Sequence, residues 1–149
     1  MTNNQSPVTN KEYKALAEFR YHIRKYLDFS DRTARTAGIE PRQYQLLLAI
    51  KALADTTEPT VGTLAEQLHI RHHSAVELVN RAEGHGLVKR ARLGDNKSYV
   101  FVSLTKKGER MLERAVTERL KELRVAGPAL VHALRQLIGD NYKLKGKRI

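Results

Sequence analysis

The segment Thr60–Gly108 decides the fold and reads TVGTLAEQLHIRHHSAVELVNRAEGHGLVKRARLGDNKSYVFVSLTKKG. Its apolar spacing predicts two short amphipathic helices, Thr60–Leu68 and roughly His72–His85, and a tight polar turn joins them. Thr60 has a side chain that can cap the first of these helices. The order of helix, turn and helix predicts a helix-turn-helix motif.

A basic hairpin is predicted directly after this motif. The stretches LVKRAR (Leu87–Arg92) and SYVFVSL (Ser98–Leu104) have strand character, and they flank the turn sequence LGDNK (Leu93–Lys97). A hairpin in this position is typical of the β wing of a winged helix-turn-helix. Such a unit places its second helix in the major groove of DNA.

Helices are also predicted on both sides of this unit. Towards the N-terminus we expect helices over residues 10–37 and 41–54, the second beginning at Pro41. Towards the C-terminus we expect one helix over residues 105–125 and another over 129–138, because Gly127-Pro128 should break the chain between them. The predicted fold class is therefore mainly α (α+β).

The length predicts one domain over residues 1–149, with a winged-helix DNA-binding region at 41–104. The terminal helices, 10–37 and 105–140, carry apolar faces that are too large for the winged-helix region between them to cover. We therefore expect them to form a dimerisation region. Two reading helices about 34–36 Å apart in a homodimer would match a palindrome.

The charge of the chain favours a polyanionic partner. The formal net charge is +11, and residues 71–107 hold eight Lys and Arg against three Asp and Glu. This excess coincides with the predicted reading helix and hairpin, which points to nucleic acid before an anionic membrane surface. The absence of cysteine excludes disulfides and thiolate metal sites and is compatible with the cytoplasm. Neither a secretory signal nor a run of 18 apolar residues is found, so we expect no membrane partner.

On the predicted reading helix, an inward face of Ala75, Val76, Val79 and Ala82 would leave other side chains free for DNA. These are His73, Ser74, Glu77, Leu78 and Arg81. Arg81 could reach a guanine edge or a phosphate, and Glu77 could accept from a cytosine amino group. The alternative is a solvated face with an i,i+4 ion pair between Glu77 and Arg81.

Six cations around this helix are the predicted phosphate contacts: Arg71, Lys89, Arg90, Arg92, Lys97 and Lys106. Contacts of this kind position a protein on DNA without reading sequence, and they produce a steep salt dependence. Alternatively, these residues only keep the protein soluble. Solubility would explain two or three of the six cations, but it would not explain why the excess of positive charge is clustered.

Histidines at 69, 72 and 73, with His85 nearby, raise the alternative of a metal site. However, His69 and His72 straddle a turn, and no acidic ligand is spaced with them. No phosphate loop, nucleophile elbow or suitable carboxylate pair is present either, so the sequence predicts neither an enzyme, a metal nor a cofactor.

The chain resembles the MarR family of bacterial transcription regulators. The resemblance rests on PRQYQLLLAI (Pro41–Ile50), TVGTLAEQLHI (Thr60–Ile70), HHSAVELVNRAEGHGLVKR (His72–Arg90) and SLTKKG (Ser103–Gly108). It implies a winged-helix dimer that binds double-stranded DNA at short palindromic operators, usually as a repressor. Small phenolic or lipophilic effectors release many relatives from DNA. The resemblance places such an effector near His22, Tyr26 and Tyr44, whose alternative role is core packing.

Three positions depart from the family pattern. His69 stands in the turn where Gly is frequent, and Glu40 precedes Pro41 where Thr or Ser is usual. The wing has Asp95-Asn96-Lys97 in place of Asp-x-Arg, and Lys97 lacks the flat guanidinium that fits a narrow minor groove. The missing wing arginine leaves a second hypothesis open, a winged-helix module that binds RNA or a protein partner. A basic C-terminal tail supports the same hypothesis and carries Lys143, Lys145, Lys147 and Arg148.

Overall fold

The computed structural model describes residues 7–57, 59–92 and 100–139. The elements run in the order α1 (Asn10–Thr36), α2 (Pro41–Ala54), α3 (Val61–Leu68), α4 (His72–Gly84), β1 (Val88–Arg92), β2 (Val100–Leu104) and α5 (Lys106–Ile138). The two strands form an antiparallel hairpin. The predicted mainly α fold class with a winged helix-turn-helix is therefore confirmed.

Two compact units make up the chain, and their boundary falls within α1 and within α5. We call Ser30–Arg119 the winged-helix unit, and Met1–Phe29 with Leu120–Ile149 the terminal unit. The winged-helix unit corresponds to the predicted DNA-binding region together with one end of each long helix. The expectation of a single domain stays a prediction.

Helix α2 forms much of the core of the winged-helix unit. Pro41 occupies its first turn, where a missing N–H leaves no helical hydrogen bond unmade. Leu46, Leu47 and Ile50 are buried, and side chains from α3, α4 and both strands pack around them. Leu48 is 41% exposed because it lies three residues from exposed Gln45 on the outer stripe of the helix.

Helix α5 runs without a break through Gly127-Pro128, so the predicted division into two helices is wrong. Proline removes one N–H and leaves the carbonyl of Arg124, four residues earlier, without its helical partner. Both Arg124 and Pro128 are exposed, so water can reach that carbonyl. The half-buried stripe of Leu123 and Leu130 continues on the other face and favours the helix on both sides of Pro128.

The terminal unit leaves many apolar side chains in contact with solvent. Of the exposed large apolar side chains in the described part of the chain, all but Leu48 belong to this unit. They include Tyr13, Leu16 and Leu27 on α1, and Val131 and Leu134 on α5. Within the described ranges, no helix is both long and apolar enough to cross a membrane.

Candidate nucleic-acid interface

The first helix of the motif begins at a complete capping box. Thr60 accepts a hydrogen bond from the backbone N–H of Thr63 at 3.2 Å, and its own N–H donates to Thr63 Oγ1 at 2.9 Å. Two of the donors that a helix start leaves unpaired are thereby satisfied. The prediction that Thr60 caps this helix is confirmed.

The turn between α3 and α4 passes through His69 in the left-handed conformation, with φ 55° and ψ 45°. Glycine adopts this conformation without steric cost, whereas histidine tolerates it better than most side chains do. The N–H of Ile70 donates to the carbonyl of Ala65 at 3.0 Å and closes the turn. The sequence therefore keeps the helix-turn-helix geometry without the expected glycine.

Helix α4 buries Ala75, Leu78, Val79 and Ala82. The inference that Leu78 faces outward is therefore wrong, since its side chain is only 9% exposed and joins the core, while Val76 is half-buried. Positions 75, 78, 79 and 82 follow the i, i+3, i+4, i+7 spacing of a single helical stripe. Burying leucine in that stripe also removes more apolar area from water than burying valine would.

Most of the other predicted reading residues on α4 are exposed, and several lie together. His73, Glu77 and Arg81 are exposed and Ser74 is half-buried. Ser74, Glu77 and Arg81 line one cavity of about 400 Å³ together with Arg42 of α2. Arg81 lies 3.9 Å from a carboxylate oxygen of Glu40, and both side chains are more than half exposed. A pair of this kind is weak, so Arg81 keeps its charge available to a partner.

The hairpin is joined to the motif through its second strand. The N–H of Val102 donates to the carbonyl of Pro59 at 2.8 Å, and Thr60 forms an isolated bridge with Phe101. Val102 and Val88 are both buried in the core. These contacts anchor the wing against the start of α3 and set its position relative to α4.

The basic residues of β1 differ in their surroundings. Lys89 and Arg92 are exposed, as a phosphate contact requires. Arg90 instead reaches α4, where it donates to Glu83 Oε1 at 3.0 Å and to Asn80 Oδ1 at 2.6 Å. Its charge is thus engaged within the protein, which the sequence prediction did not foresee.

Of the remaining predicted phosphate contacts, the structure describes Arg71 and Lys106. Arg71 precedes α4 and Lys106 begins α5, and both side chains are exposed. The neighbouring Lys107 donates to the carbonyl of His85 at 3.0 Å. Lys97 lies outside the described residues, as does the turn predicted at Leu93–Lys97.

Close packing holds the start of α5 against the segment between α4 and β1. Thr105 Oγ1 donates to the carbonyl of Gly86 at 2.6 Å, and the N–H of Thr105 donates to the carbonyl of Leu87 at 3.0 Å. A Cβ atom at Gly108 would lie 2.1 Å from the oxygen of Leu87. Glycine at position 108 therefore permits the approach of α5 to the wing.

Sequence reasoning missed a buried arginine in the winged-helix unit. Arg119 is 2% exposed, and its guanidinium lies 3.6 Å from the centre of the Tyr44 ring. It donates to Ser30 Oγ at 2.7 Å, to the carbonyl of Ser30 at 2.6 Å and to the carbonyl of Ala115 at 2.7 Å. These bonds join α1 to α5. The sequence offered no signal, since Arg119 sits among other charged residues of an amphipathic helix.

The predicted effector residues do not share one environment. His22 and Tyr26 line a cavity of about 260 Å³ in the terminal unit with Leu123 and Leu130. Tyr44 belongs to the winged-helix unit, where it is buried beneath Arg119. Among the residues that the structure describes, no three His, Asp or Glu side chains are grouped to hold a metal ion.

Comparison with known proteins identifies this architecture. Residues 37–97 match the model of the MarR family. The fold is similar to AbsC, a MarR family transcriptional regulator from Streptomyces coelicolor, with 15% identity over 91% of this chain and 94% of that chain and a TM-score of 0.72.

Two further solved structures share the fold. A MarR family protein from Bacillus stearothermophilus is 25% identical over 88% of this chain and 99% of that chain, with a TM-score of 0.65. The M. tuberculosis transcriptional regulator MOSR, solved in complex with DNA, is 22% identical over 79% of this chain and 88% of that chain, with a TM-score of 0.57. No curated protein matches the chain.

Proposed function

We propose that this chain, whose residues 37–97 match the model of the MarR family, is a sequence-specific DNA-binding regulator of that family that represses transcription from a palindromic operator. The observation that carries the proposal is the exposed face of α4 beside a basic wing. His73, Glu77 and Arg81 supply groups that can read base edges. Arg71, Lys89, Arg92 and Lys106 supply cations for the phosphates.

We propose that the regulator acts as a homodimer. The terminal unit exposes large apolar side chains on both of its helices, and a second copy would remove them from water. A two-fold axis would present two copies of α4, as a palindromic operator requires. Because the chromosome of a bacterium lies in the cytoplasm, that compartment is the expected location.

We also propose that a small aromatic or lipophilic effector releases the DNA. The cavity beside His22 and Tyr26 supports this, since it combines apolar walls from Leu123 and Leu130 with polar tips and the cation Lys25. Its volume of about 260 Å³ suits a molecule with one ring. Tyr44 is better explained by its contact with Arg119.

The proposed reading role is tested with Arg81→Ala, and Arg110→Ala serves as a control with the same charge change at an exposed position of α5. Binding is measured by fluorescence anisotropy with duplex DNA from upstream of the protein's own gene and with a scrambled duplex. A base contact by Arg81 predicts a loss of about 1–3 kcal/mol on the upstream duplex only. Equal effects of the two substitutions would remove Arg81 from the readout, and a preference for structured RNA would favour an RNA-binding module.

A further inference from the structure

Arg90 fixes the orientation of an amide on the reading helix. A guanidinium carries only hydrogen-bond donors, so the group of Asn80 that faces it is the oxygen. The distance of 2.6 Å from Arg90 Nη2 to Asn80 Oδ1 agrees with this assignment. The NH₂ group of Asn80 must then point away from Arg90. Glu83 holds the other side of the guanidinium at 3.0 Å.

Asn80 lies on the same face of α4 as the predicted reading residues. It follows His73 by seven positions and Glu77 by three, a spacing that repeats on one side of a helix. All three side chains are exposed, whereas the Leu78 and Val79 side chains before Asn80 are buried. The NH₂ group of Asn80 therefore belongs to the surface that meets DNA in the proposed function.

We propose that Asn80 is a further DNA-reading residue and that Arg90, paired with Glu83, is the positioning residue that presents its NH₂ group. A fixed amide donor selects a hydrogen-bond acceptor on the major-groove edge of a base, such as guanine O6 or N7 or thymine O4. The proposal rests on the proposed function. It also assigns Arg90 a role different from that of its neighbour Lys89, which remains free to contact phosphate.

The test uses the duplex that the wild-type protein selects most strongly from a random-sequence pool, with a scrambled duplex as the reference. Asn80→Ala and Arg90→Ala should each reduce the preference for the selected duplex by roughly 5- to 100-fold. The double substitution should cost no more than the larger single loss, because both changes remove the same interaction. Additive losses would overturn the proposal.

The salt dependence separates positioning from phosphate contact. Lys89→Ala, the matched control, should weaken binding to both duplexes and lower the salt slope by about 0.9. Arg90→Ala should leave the salt slope unchanged, and a drop like that of Lys89→Ala would make Arg90 a phosphate contact instead.

Arg90→Lys keeps the charge but loses the two-pronged geometry, and it also guards against misfolding of the alanine variant. Arg90→Lys should lose the preference for the selected duplex over the scrambled duplex to the same extent as Arg90→Ala. Its circular dichroism spectrum should be that of the wild-type protein. Full rescue by lysine would contradict the positioning role. A wild-type protein that selects no duplex would defeat the proposed function, and the reading role with it. A wild type that selects a duplex while Asn80→Ala keeps its preference would defeat this inference alone.

Discussion

Replacing Gly108 with alanine should destabilise the protein although the position lies in the first turn of a helix. A Cβ atom there would lie 2.1 Å from the oxygen of Leu87, whereas ordinary contacts begin at 3.4 Å. The neighbour must move by more than 1 Å, and it is a backbone carbonyl rather than a flexible side chain. That carbonyl also accepts a hydrogen bond from Thr105 and belongs to the buried residue Leu87.

The magnitude follows from three competing effects. Alanine gains about 0.5–1 kcal/mol over glycine in a helix. Separating α5 from Leu87 weakens the hydrogen bond from Thr105, which contributes about 0.5–1.5 kcal/mol. Overpacking of the surrounding core costs a further 1–3 kcal/mol or so. The net expectation is a loss of roughly 1–3 kcal/mol, or a few degrees to about 10 °C in melting temperature.

Urea denaturation followed by circular dichroism measures this loss, at one protein concentration because a dimer would make stability concentration-dependent. Gly62→Ala is the matched control, since Gly62 also lies in a first helical turn and its Cβ would meet only Thr60 Oγ1 at 3.7 Å. It should be neutral or stabilising by up to about 1 kcal/mol. If Gly108→Ala were as stable as Gly62→Ala, the close approach of α5 to the wing would be refuted.

Three other substitutions or titrations test separate parts of the structure. Arg119→Lys should lower the free energy of unfolding by about 2–4 kcal/mol, because lysine cannot replace all three buried hydrogen bonds. Urea denaturation measures this loss, and an unchanged midpoint would contradict the contacts with Ser30. His69→Ile should lower the melting temperature, since a β-branched residue in the left-handed region costs about 1–2 kcal/mol, whereas His69→Gly should be neutral or stabilising. If both variants melted alike, the left-handed turn would be wrong. The backbone N–H of Thr9 holds the pKa of the Glu12 carboxyl below its ordinary value of 4.5. The hydrogen bond from Thr9 to the ionised Glu12 carboxylate therefore stabilises the start of α1 fully at a pH above the pKa that Glu12 has in the unfolded chain. This stabilisation is lost as the pH falls through the lower pKa of the folded protein. An NMR titration of Glu12 with a midpoint at or above 4.5 would exclude this hydrogen bond.

Local sequence signals located most of the fold. Thr60 capped α3 as expected, and α2 began at Pro41 as predicted. Caps and turns of this kind depend on neighbouring residues only, so the sequence contains the necessary information. The strand character of Leu87–Arg92 and Ser98–Leu104 likewise located the two strands.

The features that sequence reasoning missed depend on distant partners or on solvent exposure. Pro128 stays within α5 at an exposed part of the helix, where water can reach the carbonyl that it leaves without a helical partner. Arg119 is buried because Ser30, 89 positions away, satisfies it. The spacing of Asn80 from Glu77 could have placed it on the reading face, but its bond to Arg90 required the strand to be positioned first.

The salt dependence of the preference for one duplex over another tests most directly whether this protein binds DNA sequence-specifically. Anisotropy of upstream duplex DNA and of a scrambled duplex should be followed from low salt to about 0.2 M, where non-specific electrostatic binding is strongly weakened. A sequence-specific regulator should keep a clear preference for the upstream duplex over this range. Weak binding that is equal for both duplexes and disappears with salt would contradict it, and would reduce the surface of α4 and the wing to a non-specific basic patch.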